Sequence, residues 1–483
     1  MDTTPPLPLE HLGTLAEAQE VARRAAAHVP AYGKHLAAAS IKQPESVSWQ
    51  QLPLVDKKNY LLKHSFDELL ADDFTDSFTI FSSSGSSGHP FYWPQLKGTQ
   101  RESAGRLKEF LEEVFRIHER PTLAVVGLAL GSWIGGEHFS WALKSLAVQT
   151  PYPFAIFSPG SHHDEILTMI ESAGRFVEQM IVFVCPSAIG HLRLRAEQQG
   201  QALPLSKLRF VVIGEPFPET VRLELQEASG VPPTEPVMLS IFGSADTGVL
   251  GFESPGSAMI RGMCQRDETL AAELGFDGVL PHLFHQADPA AFLETVDGEL
   301  CVTKWQGVPL VRYNLHDAAR LMSWRSIVEL ACARLGPEGE ALRGSAETMP
   351  DVLAITGRAD SCLMLTGTNL TEAMLDSAVR ADELSEWLSG NYRARSRLDD
   401  GRQRLEFTLE CRGEALPDGE TTDAIYSQLV KTLGRAQPEF NDDWQNIYCR
   451  WDDDPELRIL ALKFVAWPEL ADSSGIKQRG LQP

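Results

Sequence analysis

The sequence predicts an α/β protein: a large multi-layer N-terminal domain built on mainly parallel sheets, then a small α+β C-terminal domain. Three observations predict it. The chain has 483 residues, more than one hydrophobic core usually supports. From about Thr122, short apolar runs alternate with helical patterns, as strands with helical crossovers do. After Gly357 the pattern contracts to a shorter helix–strand–helix–strand order, which sets the domains at 1–357 and 358–483.

The elements follow in order. Glu10–His28 carries Leu12, Leu15, Val21 and Ala25 at helix-like spacing, so the chain opens with an amphipathic helix. Thr122–Leu130, Gln179–Cys185 and Leu208–Ile213 are apolar throughout and read as buried strands. His163–Ala173 and Glu219–Ala228 are the helices between and after them. Gly336–Gly344, rich in glycine and charge, reads as a surface excursion. Beyond it come a helix at Thr371–Ala381, a strand at Leu405–Cys411, a helix at Thr421–Gly434 and a strand at Arg458–Ala466.

Composition narrows the function classes. Lys plus Arg number 43 against 66 Asp plus Glu, a formal net charge of −23. That balance argues against a broad basic surface for nucleic acid or anionic lipid. The opening Met1–Pro6 has neither the basic start nor the apolar core of a signal peptide, and no apolar run is long enough to span a bilayer. The 7 cysteines are scattered without a C-x-x-C pair, so neither a disulfide framework nor a structural zinc site is expected. A reducing cytoplasm is the expected location.

The strongest local signal is Phe81-Ser82-Ser83-Ser84-Gly85-Ser86-Ser87-Gly88-His89-Pro90. Such a run bares backbone N–H groups and hydroxyls and can wrap an oligophosphate. The alternative is a flexible linker. Phe78–Phe81 and Phe91–Trp93 flank it as apolar strands, which favours an anchored hairpin loop. No G-K-[ST] ends the run, so it is not the loop of a P-loop NTPase.

Ser82–Pro90 resembles the phosphate loop of the adenylate-forming superfamily, which includes acyl-CoA synthetases, nonribosomal-peptide adenylation domains and luciferases. Further matches come in that superfamily's order. Gly214-Glu215-Pro216 resembles its adenine-side turn, and Phe242-Gly243-Ser244-Ala245-Asp246-Thr247-Gly248 its Tyr-Gly-x-Thr-Glu segment. Pro309–Asp317 resembles the segment that ends in a ribose-binding Asp, and Gly357-Arg358-Ala359-Asp360 the interdomain hinge. Lys477 stands where the superfamily keeps a C-terminal catalytic lysine. The helical opening with Leu52-Pro53-Leu54-Val55-Asp56-Lys57, and Gly131–Gly136, are most similar to the phenylacetate–CoA ligase branch.

The resemblance implies ATP-dependent activation of a small carboxylic acid as an acyl-adenylate, with release of pyrophosphate. Acyl transfer to coenzyme A, a carrier-protein thiol or an amine would follow, presented by a mobile small domain. It assigns Ser82, Ser83, Ser84, Gly85, Ser86, Ser87 and Gly88 to the phosphates, and Asp246 to Mg²⁺, with a turn-capping Asp as the alternative. Phe242, Gly243, Ser244, Ala245 and the 214–216 turn would hold the adenylate. Asp317 would take the ribose hydroxyls, or else pair with Arg320. Arg358 would stand near the ribose, or else pair with Asp360. Lys477 would bring positive charge to the reacting carboxylate, where a solvated lysine is the alternative. Trp133, Gly135 and Gly136 are candidates for the acyl pocket and His138 for reaching the carboxylate, with core packing as the alternative for Trp133 and His138.

Departures from the superfamily's pattern are Ala245 for a hydroxyl residue, Phe242 for Tyr, His89 for a small or basic residue, and His316 for Gly. The stretch Cys362–Leu365 also lacks a basic residue. These changes motivate a rival reading: a nucleotide-binding regulatory or scaffold protein that has lost ligation.

Overall fold

A computed structural model describes residues 8–83, 91–276, 279–358, 362–399, 401–467, 469–470 and 480–482. Its centre is a twelve-stranded sheet. Five strands run parallel in the spatial order Met238–Ser244, Leu208–Ile213, Gln179–Val184, Thr122–Val126, Phe154–Phe157. The predicted strands at 122, 179 and 208 all lie in this parallel half. From Gly248–Phe252 onward the sheet continues antiparallel through His282–Gln286, Val352–Arg358, Leu310–Met322, Glu299–Lys304 and Phe292–Val296 to His11–Leu12.

The parallel strands read as unbroken apolar runs because both faces are covered. Leu123, Val125, Met180, Val182, Phe210 and Val212 pack beneath helices His163–Ala173, Pro186–Gln198 and Glu219–Ser229. Their neighbours Ala124, Val126, Ile181, Phe183 and Val211 face the other way, onto Lys97–Phe115 and Ile134–Gln149. Each of these side chains is 6% exposed or less.

The opening helix spans Leu15–His28 and buries Ala18, Ala22 and Ala25. Leu12, expected inside it, instead pairs with Leu293 in the sheet. Gly13 explains the break. It has φ +87°, and a Cβ there would lie 3.0 Å from the Ala291 carbonyl oxygen. The Gly336–Gly344 excursion is also more ordered than its composition suggests. It forms a short helix, Pro337–Glu340, and Leu342 beyond it is buried in a core with Trp324.

A second, smaller sheet pairs Leu388–Asp399 with Arg402–Cys411, flanked by Leu460–Val465 and Gly480–Gln482. Its core runs from Leu363 to Leu460 and includes Ile425, Leu429 and Leu433 of helix Gly419–Ala436. This unit meets the large one along helix Pro186–Gln198. A Cβ on Gly190 would lie 2.3 Å from the Gly401 carbonyl oxygen. No helix among the described residues is long and apolar enough to cross a membrane.

One buried ionic network ties the parallel half to the antiparallel half. Arg222 bonds Glu253 at 2.7 Å, and Arg261 bonds Glu219 at 2.8 Å. Glu253 is 0% exposed and also accepts the Ser240 backbone N–H at 2.8 Å. Arg222→Ala would leave that carboxylate uncompensated, a loss of about 3–5 kcal/mol. A clear fall in the urea midpoint of the large unit's unfolding is the expected result. An unchanged midpoint would contradict the network's role.

Candidate functional site

In a sheet with parallel strands, the turns leaving the strands' carboxyl ends face one common crevice. Here those turns are Gly127-Leu128, Cys185, Gly214-Glu215-Pro216 and Ala245-Asp246. They line a cavity of about 410 Å³ whose far side is lined by the small unit. Every described residue of the expected site lies on its wall: Ser82, Ser83, Trp133, Gly135, Gly136, His138, Gly214, Glu215, Pro216, Phe242, Gly243, Ser244, Ala245, Asp246, Asp317 and Arg358. Ser84–Pro90, Ala359, Asp360 and Lys477 lie outside the described residues.

The base of the serine run is fixed in place. Ser77–Ser82 and Tyr92–Leu96 form the expected hairpin. The Ser82 N–H donates to the Ser132 carbonyl at 2.8 Å, and the Ser83 N–H to the Phe91 carbonyl at 2.9 Å. The Ser83 hydroxyl accepts the Phe91 N–H at 3.2 Å. Opposite it stands Lys57, its ammonium 3.5 Å from Ser83 Oγ. Lys57 reaches the cavity because Val55 bridges to the strand Leu310–Met322, with the Asn314 N–H donating to the Val55 carbonyl at 2.8 Å.

Asp246 is the electrostatic centre of this side. Its carboxylate accepts the Tyr313 hydroxyl at 2.5 Å, and the Gln306 amide bonds its backbone carbonyl at 2.6 Å. Burial raises the Asp246 carboxyl above its ordinary range, against the Tyr313 bond and the charges of Lys57 and Arg358. Burial lowers Lys57 in turn, with Arg358 adding to the effect and Asp246 opposing it. Among the described residues no group of three or more His, Cys, Asp or Glu is arranged to hold a metal. A lone carboxylate still fits Mg²⁺, which commonly takes one or two carboxylates and completes its shell with phosphate oxygens and water.

Asp317 and Arg358 face each other on adjacent strands, with Arg358 Nη1 3.9 Å from Asp317 Oδ1. Arg358 also donates to the Leu315 carbonyl at 2.9 Å. Arg320, the alternative partner for Asp317, lies over the Phe276 ring instead. His316, in the superfamily's Gly position, has φ +59° and sets its Nδ1 2.8 Å from Glu299 Oε2. Phe242 stacks at 5.4 Å on Phe284, which also lines the cavity.

His138, left open between reaching a carboxylate and packing in the wall, lines the cavity with its Nδ1 3.0 Å from Gln100 Oε1 and its Nε2 3.3 Å from Ser103 Oγ. Burial, followed by the charges of Lys304 and Arg106, lowers the ring to about 4. It is a neutral wall residue with both nitrogens engaged. Gly136 has a steric reason to be glycine: a Cβ would lie 2.1 Å from the Ala129 carbonyl oxygen.

Sequence reasoning missed several wall residues. Lys57 lay in a segment singled out by resemblance but was given no role. Tyr313 likewise lay in the singled-out 309–317 segment and was given no role. Glu439, Asp443 and Tyr448 come from the small unit, where no local motif marks them.

No family model matches the chain. It is 25% identical over 258 residues to phenylacetate–coenzyme A ligase of Pseudomonas putida, covering 52% of this chain and 51% of that one. The phenylacetate–coenzyme A ligase of Escherichia coli K12 is 27% identical over 233 residues, 47% of this chain and 45% of that one. The chain therefore spans about half the length of the curated relatives it matches. A 2-hydroxyisobutyryl-CoA ligase, solved with 2-HIB-AMP and CoA in the thioesterification state, superposes with a TM-score of 0.57 at 15% identity. That match covers 97% of this chain and 88% of the other. The chain thus resembles phenylacetate–coenzyme A ligases over about half its length and shares the fold of this CoA ligase. An open conformation of the same 2-hydroxyisobutyryl-CoA ligase gives a lower TM-score, 0.52.

The Tyr313–Asp246 bond can be tested directly. Tyr313→Phe removes a donor that favours the ionised carboxylate, so the Asp246 pKa rises further. The acidic limb of Mg·ATP-induced thermal stabilisation is expected to move up by about one pH unit. An unmoved limb would show that Asp246 does not control ligand binding.

Proposed function

We propose that this chain is an ATP-dependent carboxylate ligase. It would join a small carboxylic acid to AMP with release of pyrophosphate, then pass the acyl group to a thiol or an amine. The observation that carries the reading is the cavity: its wall gathers the serine-run base, the 214–216 turn, the 242–246 segment, Asp317 and Arg358, all remote from one another in sequence. The likeness to phenylacetate–coenzyme A ligases supports the same reading.

The chemistry asks for charge neutralisation and alignment. A carboxylate is a weak nucleophile facing a polyanion, so the site must offset charge and hold the two in line. Lys57 and the hairpin at Ser82–Ser83 would cradle the terminal phosphates together with Ser84–Gly88. Asp317 would hold the ribose hydroxyls, and Phe242 with the 214–216 turn would flank the adenine. Asp246 would hold Mg²⁺, which supplies Lewis-acid neutralisation of the phosphates when bound. Trp133, Gly135 and Gly136 would border the acid, with His138 behind them as a neutral wall. Lys477 would bring a cation to the reacting carboxylate. The boundary at 357/358 would let residues 358–483 move as one lid.

The acceptor would be coenzyme A, a carrier-protein thiol or an amine. The reaction location we assign is the cytoplasm.

Pyrophosphate release across a panel of aryl and aliphatic acids, including phenylacetate and 2-hydroxyisobutyrate, tests the reading. At least one acid should release pyrophosphate in an ATP-dependent way. Silence with every acid, alongside tight AMP binding, would favour a regulatory nucleotide-binding protein instead. Lys477→Ala should lower adenylation by about 10²-fold or more while leaving ATP affinity nearly intact, as loss of a transition-state contact does. Asp317→Ala should weaken ATP binding about tenfold, through a lost charge-assisted hydrogen bond. Equal ATP affinity would show that the ribose lies elsewhere.

A further inference from the structure

The cavity has a second chemical seam, where the small unit meets the large one away from Asp246. Glu215 stands at its centre and is 8% exposed. Its carboxyl accepts the Ser187 N–H at 3.2 Å and the Ser187 hydroxyl at 2.9 Å, at the start of helix Pro186–Gln198. It also accepts the backbone N–H of Gly367, which belongs to the small unit.

Gly367 and Thr366 form the two-residue turn between the paired strands Cys362–Leu365 and Thr368–Thr371. Both have positive φ, +50° at Thr366 and +87° at Gly367, as a type I′ hairpin requires. That conformation is unusual for a β-branched residue and persists only where its surroundings enforce it. Here the Thr366 N–H donates to Gln403 Oε1 at 2.7 Å, and the Thr368 hydroxyl to Asp443 Oδ2 at 3.1 Å. The turn also approaches the large unit at backbone range. A Cβ on Gly367 would lie 3.1 Å from Cys185 Sγ.

We propose that Glu215 is a positioning residue, a latch whose carboxyl ties the helix start at Ser187 to the Thr366–Gly367 turn, and whose proton sets how firmly the small unit seats over the cavity. Its part in presenting an acyl acceptor rests on the ligase reading above.

The charge environment gives the latch its sign. Cys185, Glu439, Asp443 and Tyr448 line the cavity around it, and none of these carries positive charge. Burial, helped by the charge of Asp443, outweighs the Ser187 and Gly367 donors and pushes Glu215 up to about 7. Burial likewise pushes Asp443 up to about 7, against its Thr368 bond and with Asp442 adding to the rise. Between the ordinary carboxyl range and about pH 7, this carboxyl is protonated in the seated protein and ionised where solvated. Its support is complete below the ordinary carboxyl range and is lost as pH rises through 7. His163 and His191 lie in the same seam, near Arg402, Arg450 and Asp164, and act in the opposite sense. Burial lowers both, His163 to about 3, so they disfavour seating once the released rings would be protonated.

Labelling of Cys185 by iodoacetamide, mapped by peptide mass on the full chain, reads the seating without nucleotide or acid. Its failure is therefore separable from failure of the ligase reading. Exposed Cys449 is the internal reference. Glu215→Ala should label Cys185 about tenfold faster than wild type at pH 6.5, through loss of buried hydrogen bonds. Glu215→Gln keeps the shape and removes the titration. The ratio of wild-type to Glu215→Gln labelling should therefore rise about tenfold between pH 5.5 and 8, because histidine and thiol titrations cancel in it. A ratio flat across that range would overturn the proposal, as would a folded Glu215→Ala that labels as slowly as wild type. Should Glu215→Ala not fold, the glutamine ratio alone decides.

Discussion

The buried pair of Arg312 and Glu294 is the fixed point from which the Asp246 side of the cavity is built. Arg312 is 4% exposed, and its guanidinium bonds Glu294 at 2.9 Å and the carbonyls of Gln50 and Leu52 at 3.0 and 2.6 Å. Trp49 donates to the same glutamate at 3.1 Å. A buried pair with its remaining donors satisfied adds little net stability but is costly to break. What it supplies here is registry. It holds the 49–57 segment against the strand Leu310–Met322, so Lys57, Tyr313 and Asp317 keep their places on one wall.

Around that fixed point, a chain of net charge −23 assembles a local field of the opposite tendency. Lys57 and Arg358 stand within reach of Asp246, and Tyr313 donates to it. Each cation is partly offset by a nearby carboxylate, Asp246 for Lys57 and Asp317 for Arg358. An incoming anion would meet directed N–H and ammonium donors in a partly desolvated crevice, where such contacts count for more than the distant surface charge does. Net charge describes the outer surface, whereas this wall is set by a handful of side chains.

Much of this was legible in the sequence, for reasons that differ by element. The runs at 122, 179 and 208 announced themselves because burial on both faces forbids polar residues anywhere along them. The 214–216 and 242–246 segments were readable only through their resemblance to superfamily motifs taken in order. Lys57, Tyr313 and Asp443 were not readable as wall residues: each reaches the cavity only through tertiary placement. His138 kept two readings open for a related reason. A histidine near a pocket motif looks the same in sequence whether its nitrogens face a ligand or, as here, Gln100 and Ser103. Leu12 followed helical spacing but lost to a single glycine, whose backbone ended the pattern early.

The bare contact between Gly190 and Gly401 has a consequence of its own. Two backbones that meet without side chains exchange few dispersion contacts, so the touch adds little adhesion. It is nonetheless sterically exacting, since a single methyl at Gly190 would collide with the carbonyl of Gly401. The seam at that point works as a gauge rather than a glue: it fixes how close the two units come, and adhesion falls to neighbours such as Trp451 on His191.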